Sequence, residues 1–159
     1  MRISTRGRYA LKMMIEFAKH PDTTTKINQV SRSQHISEKY LEQIVSTLTK
    51  AGFVKSIRGA QGGYLLARKP SEYSVGEILR LTEGSLAPVA CLDDDSEPCD
   101  LACACVSRSV FRKIEDAVNQ VVDNISLEDL LNEEEADAKI RTGEGLCQQQ
   151  KRRAHEKDT

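Results

Sequence analysis

A chain of 159 residues, 39% of them hydrophobic, is long enough to bury one core. It holds no apolar run approaching about 18 residues, so no transmembrane helix and no membrane partner are expected. The net charge of −1 conceals a division: residues 1–80 carry 14 Lys and Arg against 6 Asp and Glu, a net of +8, while residues 81–159 carry 9 against 18, a net of −9. A basic half is the footprint of a domain that meets phosphate, although solvated faces also produce charge runs.

The opening MRISTRGRYAL is basic and runs straight into an amphipathic pattern. It lacks the continuous apolar stretch of a signal peptide, so a cytoplasmic protein is expected. Ala10, Met13, Met14, Phe17 and Ala18 form the apolar stripe of a first helix over residues 5–20. Around its start, Arg2, Ser4, Thr5, Arg6 and Arg8 offer cations, hydroxyls and helix-start N–H groups to a phosphate. Residues 21–25 read as a loop. A short helix from Ile27 to Gln34 follows, with Ile27 and Val30 inward, and the turn His35-Ile36-Ser37 leads to another. In that helix Leu41, Ile44, Val45 and Leu48 recur at i, i+3, i+4 and i+7, one face of a 3.6-residue period. Ser37 stands at its N-cap and Glu38 in its first turn, and Gly52 suits the left-handed residue that ends it. Two short helices around a polar turn match a helix-turn-helix, a pattern that other folds also contain.

Two runs rich in β-formers come next, Phe53–Ile57 and Tyr64–Ala67. The segment between them, Arg58-Gly59-Ala60-Gln61-Gly62-Gly63, suits a hairpin turn that needs positive φ. A helix followed at once by a basic-tipped hairpin is the plan of a winged helix-turn-helix. The helix would read the major groove of double-stranded DNA and the wing an adjacent minor groove.

Ser74 can cap a helix from Val75 to Thr82, which Gly84 ends. Pro88, Asp93-Asp94-Asp95 and Pro98 make residues 85–104 a loop. The chain's five cysteines include four between 91 and 105, Cys91, Cys99, Cys103 and Cys105, a clustering that points to a metal or redox site. From about Cys105 to Asn124 a long helix is expected, with Val106, Val110, Ile114, Ala117, Val118, Val121 and Ile125 stepping by three and four. Such a stripe needs a partner surface, either the rest of its own domain or, more simply, a second copy in a homodimer. Ser126 caps a last helix, Leu127 to Ala138. The polar tail from Lys139 is expected to be disordered, with Cys147 idle in it. The fold class is therefore mainly α: a winged helix-turn-helix domain over 1–84, a cysteine-containing loop over 85–104, a dimerisation helix and short C-terminal helix over 105–138, and a tail over 139–159.

MRISTRGRYAL, the segment ISEKYLEQIVSTLTKAGFVKSIRGAQGGYLLAR, VGEIL and ISLEDLL carry a further signal. Over residues 1 to about 135 the chain resembles the Rrf-two superfamily of bacterial transcriptional regulators, with its IscR-, CymR- and NsrR-like branches; the combination YLEQ with RGxxGGY is the specific part. The resemblance implies a dimeric winged-helix repressor or activator, not an enzyme. It places DNA contact on Ser37, Lys39, Glu42 and Gln43 of the recognition helix and on Arg58 of the wing, with Gly59, Gly62 and Gly63 shaping that wing. Glu42 matches the family glutamate and can accept a hydrogen bond from a cytosine amino group.

IscR-like members hold a 2Fe–2S cluster on three cysteines and a histidine three residues beyond the last. Cys91, Cys99 and Cys105 align with the cysteines, with a first gap two residues longer and Cys103 extra. Arg108 occupies the histidine position and stays protonated, so it cannot ligate iron. Arg8 stands where NsrR-like members use an acidic ligand. The resemblance thus implies an iron–sulfur cluster on Cys91, Cys99 and Cys105, with Cys103 or an external group fourth. A metal-free thiol sensor and a structural zinc stay open. CymR-like members lack the loop and respond to a cysteine-synthase partner enzyme, which is the alternative here. No Ser/His/Asp or paired-carboxylate constellation suggests catalysis, and His20, His35 and His155 are scattered.

Overall fold

The computed structural model describes residues 2–59, 61–93, 99 and 102–140. The chain runs α1 (Thr5–Ala18), α2 (Ile27–Gln34), α3 (Glu38–Lys50), β1 (Val54–Ile57), β2 (Gly63–Leu66), α4 (Val75–Glu83) and α5 (Val106–Asp123). A further helix, α6, occupies 127–140. The architecture is mainly helical with one antiparallel hairpin, as the sequence pattern requires.

α1 is the hub. Ala10, Met13, Met14, Phe17 and Ala18 are all buried, and α2, α3, α4 and β2 pack around them. α3 contributes Leu41, Ile44, Val45 and Leu48 to the same core, along the stripe its period dictates. The turn between α2 and α3 is sharp because His35 is left-handed, with φ 54° and ψ 44°. Ile36 then points into the core. α3 ends in a Schellman motif: Gly52 has φ 75°, its N–H donates to Thr49 O, and the Phe53 N–H reaches back to Leu48 O at 2.9 Å. Glycine is required here because a Cβ would be strained at that φ.

β1 and β2 pair Val54 with Leu66 through Ile57 with Gly63. The segment read as a plain loop, 21–25, also supplies a third, one-residue strand. Thr25 N donates to Tyr64 O at 3.0 Å and Tyr64 N to Thr25 O at 2.9 Å. A Cβ on Gly63 would lie 2.8 Å from Thr25 O, so glycine lets the two backbones approach.

α5 projects from this body with no buried residue. Its end returns: Val75 N donates to Ile125 O, Leu127 N to Tyr73 O, and Leu127 is fully buried in the core around α1. Ser126 and Asp129 cap α6 reciprocally, Asp129 N to Ser126 Oγ at 3.1 Å and Ser126 N to Asp129 Oδ2 at 2.9 Å. Lys19, the C-cap residue of α1, bridges Glu16 and Glu134, pinning α6 to the body. Lys139 and Ile140 continue α6; the rest of the tail for which disorder is expected, and Cys147, lie outside the described residues. Among the described residues no helix is long and apolar enough to cross a membrane.

Candidate nucleic-acid interface and cysteine loop

Leu41, Ile44, Val45 and Leu48 turn inward, so the opposite side of α3 is left to solvent. Lys39, Glu42 and Gln43 stand exposed there, with Ser37 at the helix start. Ser37 has N-cap backbone geometry, but its side chain makes no capping hydrogen bond. Arg6 lies beside α3: its Nη2 donates to Thr47 Oγ1 at 2.7 Å, and that hydroxyl faces Gln43 O. α1 thus carries a cation to the flank of α3. Arg2 and Arg8 are exposed and line a cavity of about 620 Å³ with Ser4 and Thr5.

Ser4 is employed differently from the expectation. Its hydroxyl accepts from Gly7 N at 3.2 Å and donates to Glu83 Oε1 at 2.7 Å, and its own N–H also donates to that carboxylate. The start of α1 therefore already holds an anion supplied by α4, and Ser4 acts as an internal cap. Nothing in the local sequence signals Glu83, which is 79 residues away.

Arg58 and Gly59 are exposed at the wing tip, where Gly59 has φ 114°. A Cβ on Gly62 would lie 2.6 Å from Ile57 O, so the tip closes only with glycine there. Thr24 Oγ1 donates to Gln61 O at 2.7 Å and ties the tip to the loop after α1. Behind the wing are two residues that the sequence pattern did not single out. Tyr73 is fully buried, with its hydroxyl on the hairpin's base. The Arg68 guanidinium lies 4.3 Å from the Tyr73 ring centre and 5.3 Å from that of Phe53, and it faces Glu77 at 3.4 Å. The one available signal was an aromatic between Pro70 and the Ser74 cap.

The cysteines of the loop that the structure describes are placed as follows. Cys91 is half-buried in a 3₁₀ turn, Ala90–Leu92; Cys99 and Cys103 are exposed; Cys105 is the N-cap residue of α5. None is in a disulfide. Among the described residues no three His, Cys, Asp or Glu side chains are grouped to hold a metal ion. The thiolate donors of Cys91, Cys99, Cys103 and Cys105 suit iron–sulfur or zinc chemistry, and Arg108, at the place of the family's histidine, cannot serve as a fourth ligand. The Cys105 Sγ lies 3.2 Å from Ser107 Oγ. That hydroxyl, with the N–H and charge of Arg108, holds the Cys105 thiol below its ordinary pKa.

Taken together, the buried helix-turn-helix, the glycine-built wing and the exposed polar side of α3 define a winged-helix transcriptional regulator. The family model described as "Rrf2: Iron-dependent Transcriptional regulator" matches residues 3–133, and the chain belongs to the Rrf2 family. It is 46% identical over 131 residues to the HTH-type transcriptional regulator CymR of Bacillus subtilis, covering 82% of this chain and 89% of that one. It is 34% identical over 158 residues to the regulator IscR of Pectobacterium carotovorum, covering 94% and 95%. The solved structure of CymR, described as the global cysteine regulator of B. subtilis, superposes with a TM-score of 0.69 at 45% identity, over 82% of this chain and 95% of that one. These relatives are transcriptional regulators, not enzymes.

Proposed function

We propose that the chain acts as a homodimer on a two-fold double-stranded DNA site, with α3 of each copy in a major groove and each wing in the adjacent minor groove. The observation that carries this reading is the shared exposure of Lys39, Glu42 and Gln43 on α3 and of Arg58 on the wing tip. Glu42 is suited to a cytosine amino group and Arg58 to a narrow, electronegative minor groove. Arg2, Arg6, Arg8 and Ser37 are suited to phosphates, which fix register without reading sequence. Gly59, Gly62 and Gly63 shape the wing. The second copy is supported by the apolar stripe of α5, where Val106, Val110, Ile114 and Val121 are 42% to 84% exposed in a single chain. The test is binding to an operator-length duplex and to a scrambled one. Arg58→Ala is expected to weaken operator binding about tenfold, and Glu42→Ala to relax preference at one base pair. Unchanged affinity and preference in both variants would remove this assignment.

For the signal, we infer a regulator of cysteine metabolism that reads the loop thiols or a cysteine-synthase partner, without a cluster. Two features favour this: the 46% identity to CymR, whose structure is described as that of the global cysteine regulator of B. subtilis, and Arg108 at the family's histidine position. The competing reading, an iron–sulfur cluster on Cys91, Cys99 and Cys105, draws on the IscR relatives and on the unpaired state of these thiols. Purification without oxygen separates the two. A colourless protein without iron or sulfide supports the first, and bound iron and sulfide with visible absorption would establish the second.

A further inference from the structure

Tyr73 is fully buried, and its two ends join parts of the fold that are distant in sequence. Its hydroxyl donates to Phe53 O at 2.6 Å and accepts from Arg68 N at 2.9 Å and Ala67 N at 3.0 Å. Phe53 immediately precedes β1, and Ala67 and Arg68 immediately follow β2. One phenol therefore holds both legs of the hairpin where they leave the body. With one proton and two acceptor sites in use, it has no further capacity. The Tyr73 backbone carbonyl meanwhile accepts from Leu127 N at 3.1 Å, at the junction between α5 and α6. The adjacent Val75 N bonds Ile125 O at 2.9 Å, and Ser74 bridges Ser126.

We propose that Tyr73 is the positioning residue of the wing: it sets where Arg58 stands relative to α3 and ties that placement to the end of the helix that bears the dimer stripe. The proposal rests on the DNA reading above. A two-stranded hairpin is marginal by itself. Three of the four β1 residues are exposed, so face packing holds only the base of the strand. The wing's angle must come from its anchors. Thr24 and Thr25 hold the β2 edge and tip, and Tyr73 holds the base. The Ala67 N–H also reaches Phe53 O at 3.0 Å, so the amide most dependent on the hydroxyl is that of Arg68.

Tyr73→Phe keeps the ring and deletes only the hydroxyl, and two readouts on the full chain test it. Amide hydrogen exchange at Arg68 is expected to accelerate about tenfold relative to the α1 core amides. Operator affinity is expected to fall severalfold, and Arg58→Ala added to Tyr73→Phe should cost little more, whereas Glu42→Ala should cost as much as in the parent. Unchanged Arg68 exchange, or full additivity of Tyr73→Phe with Arg58→Ala, would overturn the proposal. Should Arg58→Ala and Glu42→Ala leave the parent's DNA binding untouched, the DNA reading itself fails, and Arg68 exchange alone decides whether Tyr73 anchors the hairpin.

Discussion

Arg80 grips Asp123 through two near-parallel bonds, Nη1 to Oδ1 at 2.6 Å and Nη2 to Oδ2 at 3.0 Å, while Nη2 also reaches Asn119 Oδ1 at 2.6 Å. The pair fastens the last turn of α5 to α4. Gly76 on α4 leaves the room: a Cβ there would collide with Asp123 Oδ1. The bidentate fork is the strong geometry for this pair, but both side chains are more than one-third exposed, so solvent screens it.

Asp123→Asn is accordingly expected to cost less than about 1 kcal/mol of stability. Hydrogen bonding to Arg80 holds the Asp123 carboxyl below the usual carboxylate range. Its contribution is therefore present at and above that range and is lost as pH falls through the depressed folded value. Thermal melts should show parent and variant apart at neutral pH and converging in acid. A gap that widens on acidification would contradict this account.

Gly7 faces Glu83 so closely that a Cβ would collide with its carboxylate, and Ile3 Cγ2 lies 3.3 Å from the same point. In an open helix Gly→Ala gains about 1 kcal/mol. Here it must displace the carboxylate that caps Ser4, so Gly7→Ala is expected to lower stability. In a Glu83→Ala background the same substitution should become neutral or stabilising. Denaturant midpoints of the four proteins check this, and a gain from Gly7→Ala alone would show that the carboxylate yields freely.

Ile114 is 42% exposed in the middle of the α5 stripe. Ile114→Glu should leave the fold intact, because it removes nothing from the core, yet it places a charge where a second copy would pack. Sedimentation is expected to show a shift from dimer to monomer, with at least a tenfold loss of operator affinity. A dimer that persists unchanged would locate the two-fold contact elsewhere.

The Ser107 hydroxyl is the largest influence that lowers the Cys105 thiol pKa. Ser107→Ala should reduce the thiolate fraction near neutral pH and slow alkylation of Cys105 severalfold, as read by mass-spectrometric mapping. An equal rate in the variant would mean that the hydroxyl does not act on this sulfur.

Much of the fold was legible in local pattern. The stripes of α1 and α3 named their buried residues because a 3.6-residue period leaves one face for the core, and Gly52 marked the end of α3 because few residues accept its φ. The wing was visible in its glycines, which permit a turn and close approach that a Cβ would block. What pattern could not supply is partnership over distance. Ser4 looks like a phosphate ligand until Glu83 arrives from α4 to occupy it. Tyr73 looks incidental until the hairpin base and the Ile125–Leu127 junction fold onto its two ends. The pattern places Leu127 at the start of a last helix but not in the core around α1. By itself the sequence determined the helices, the turns, the basic N-terminal half and the family, because these depend on residues a few positions apart. Only the tertiary structure decided which polar groups were already satisfied inside the chain and which remained free to meet a partner, because hydrogen bonds across 50 or 80 residues leave no periodic trace.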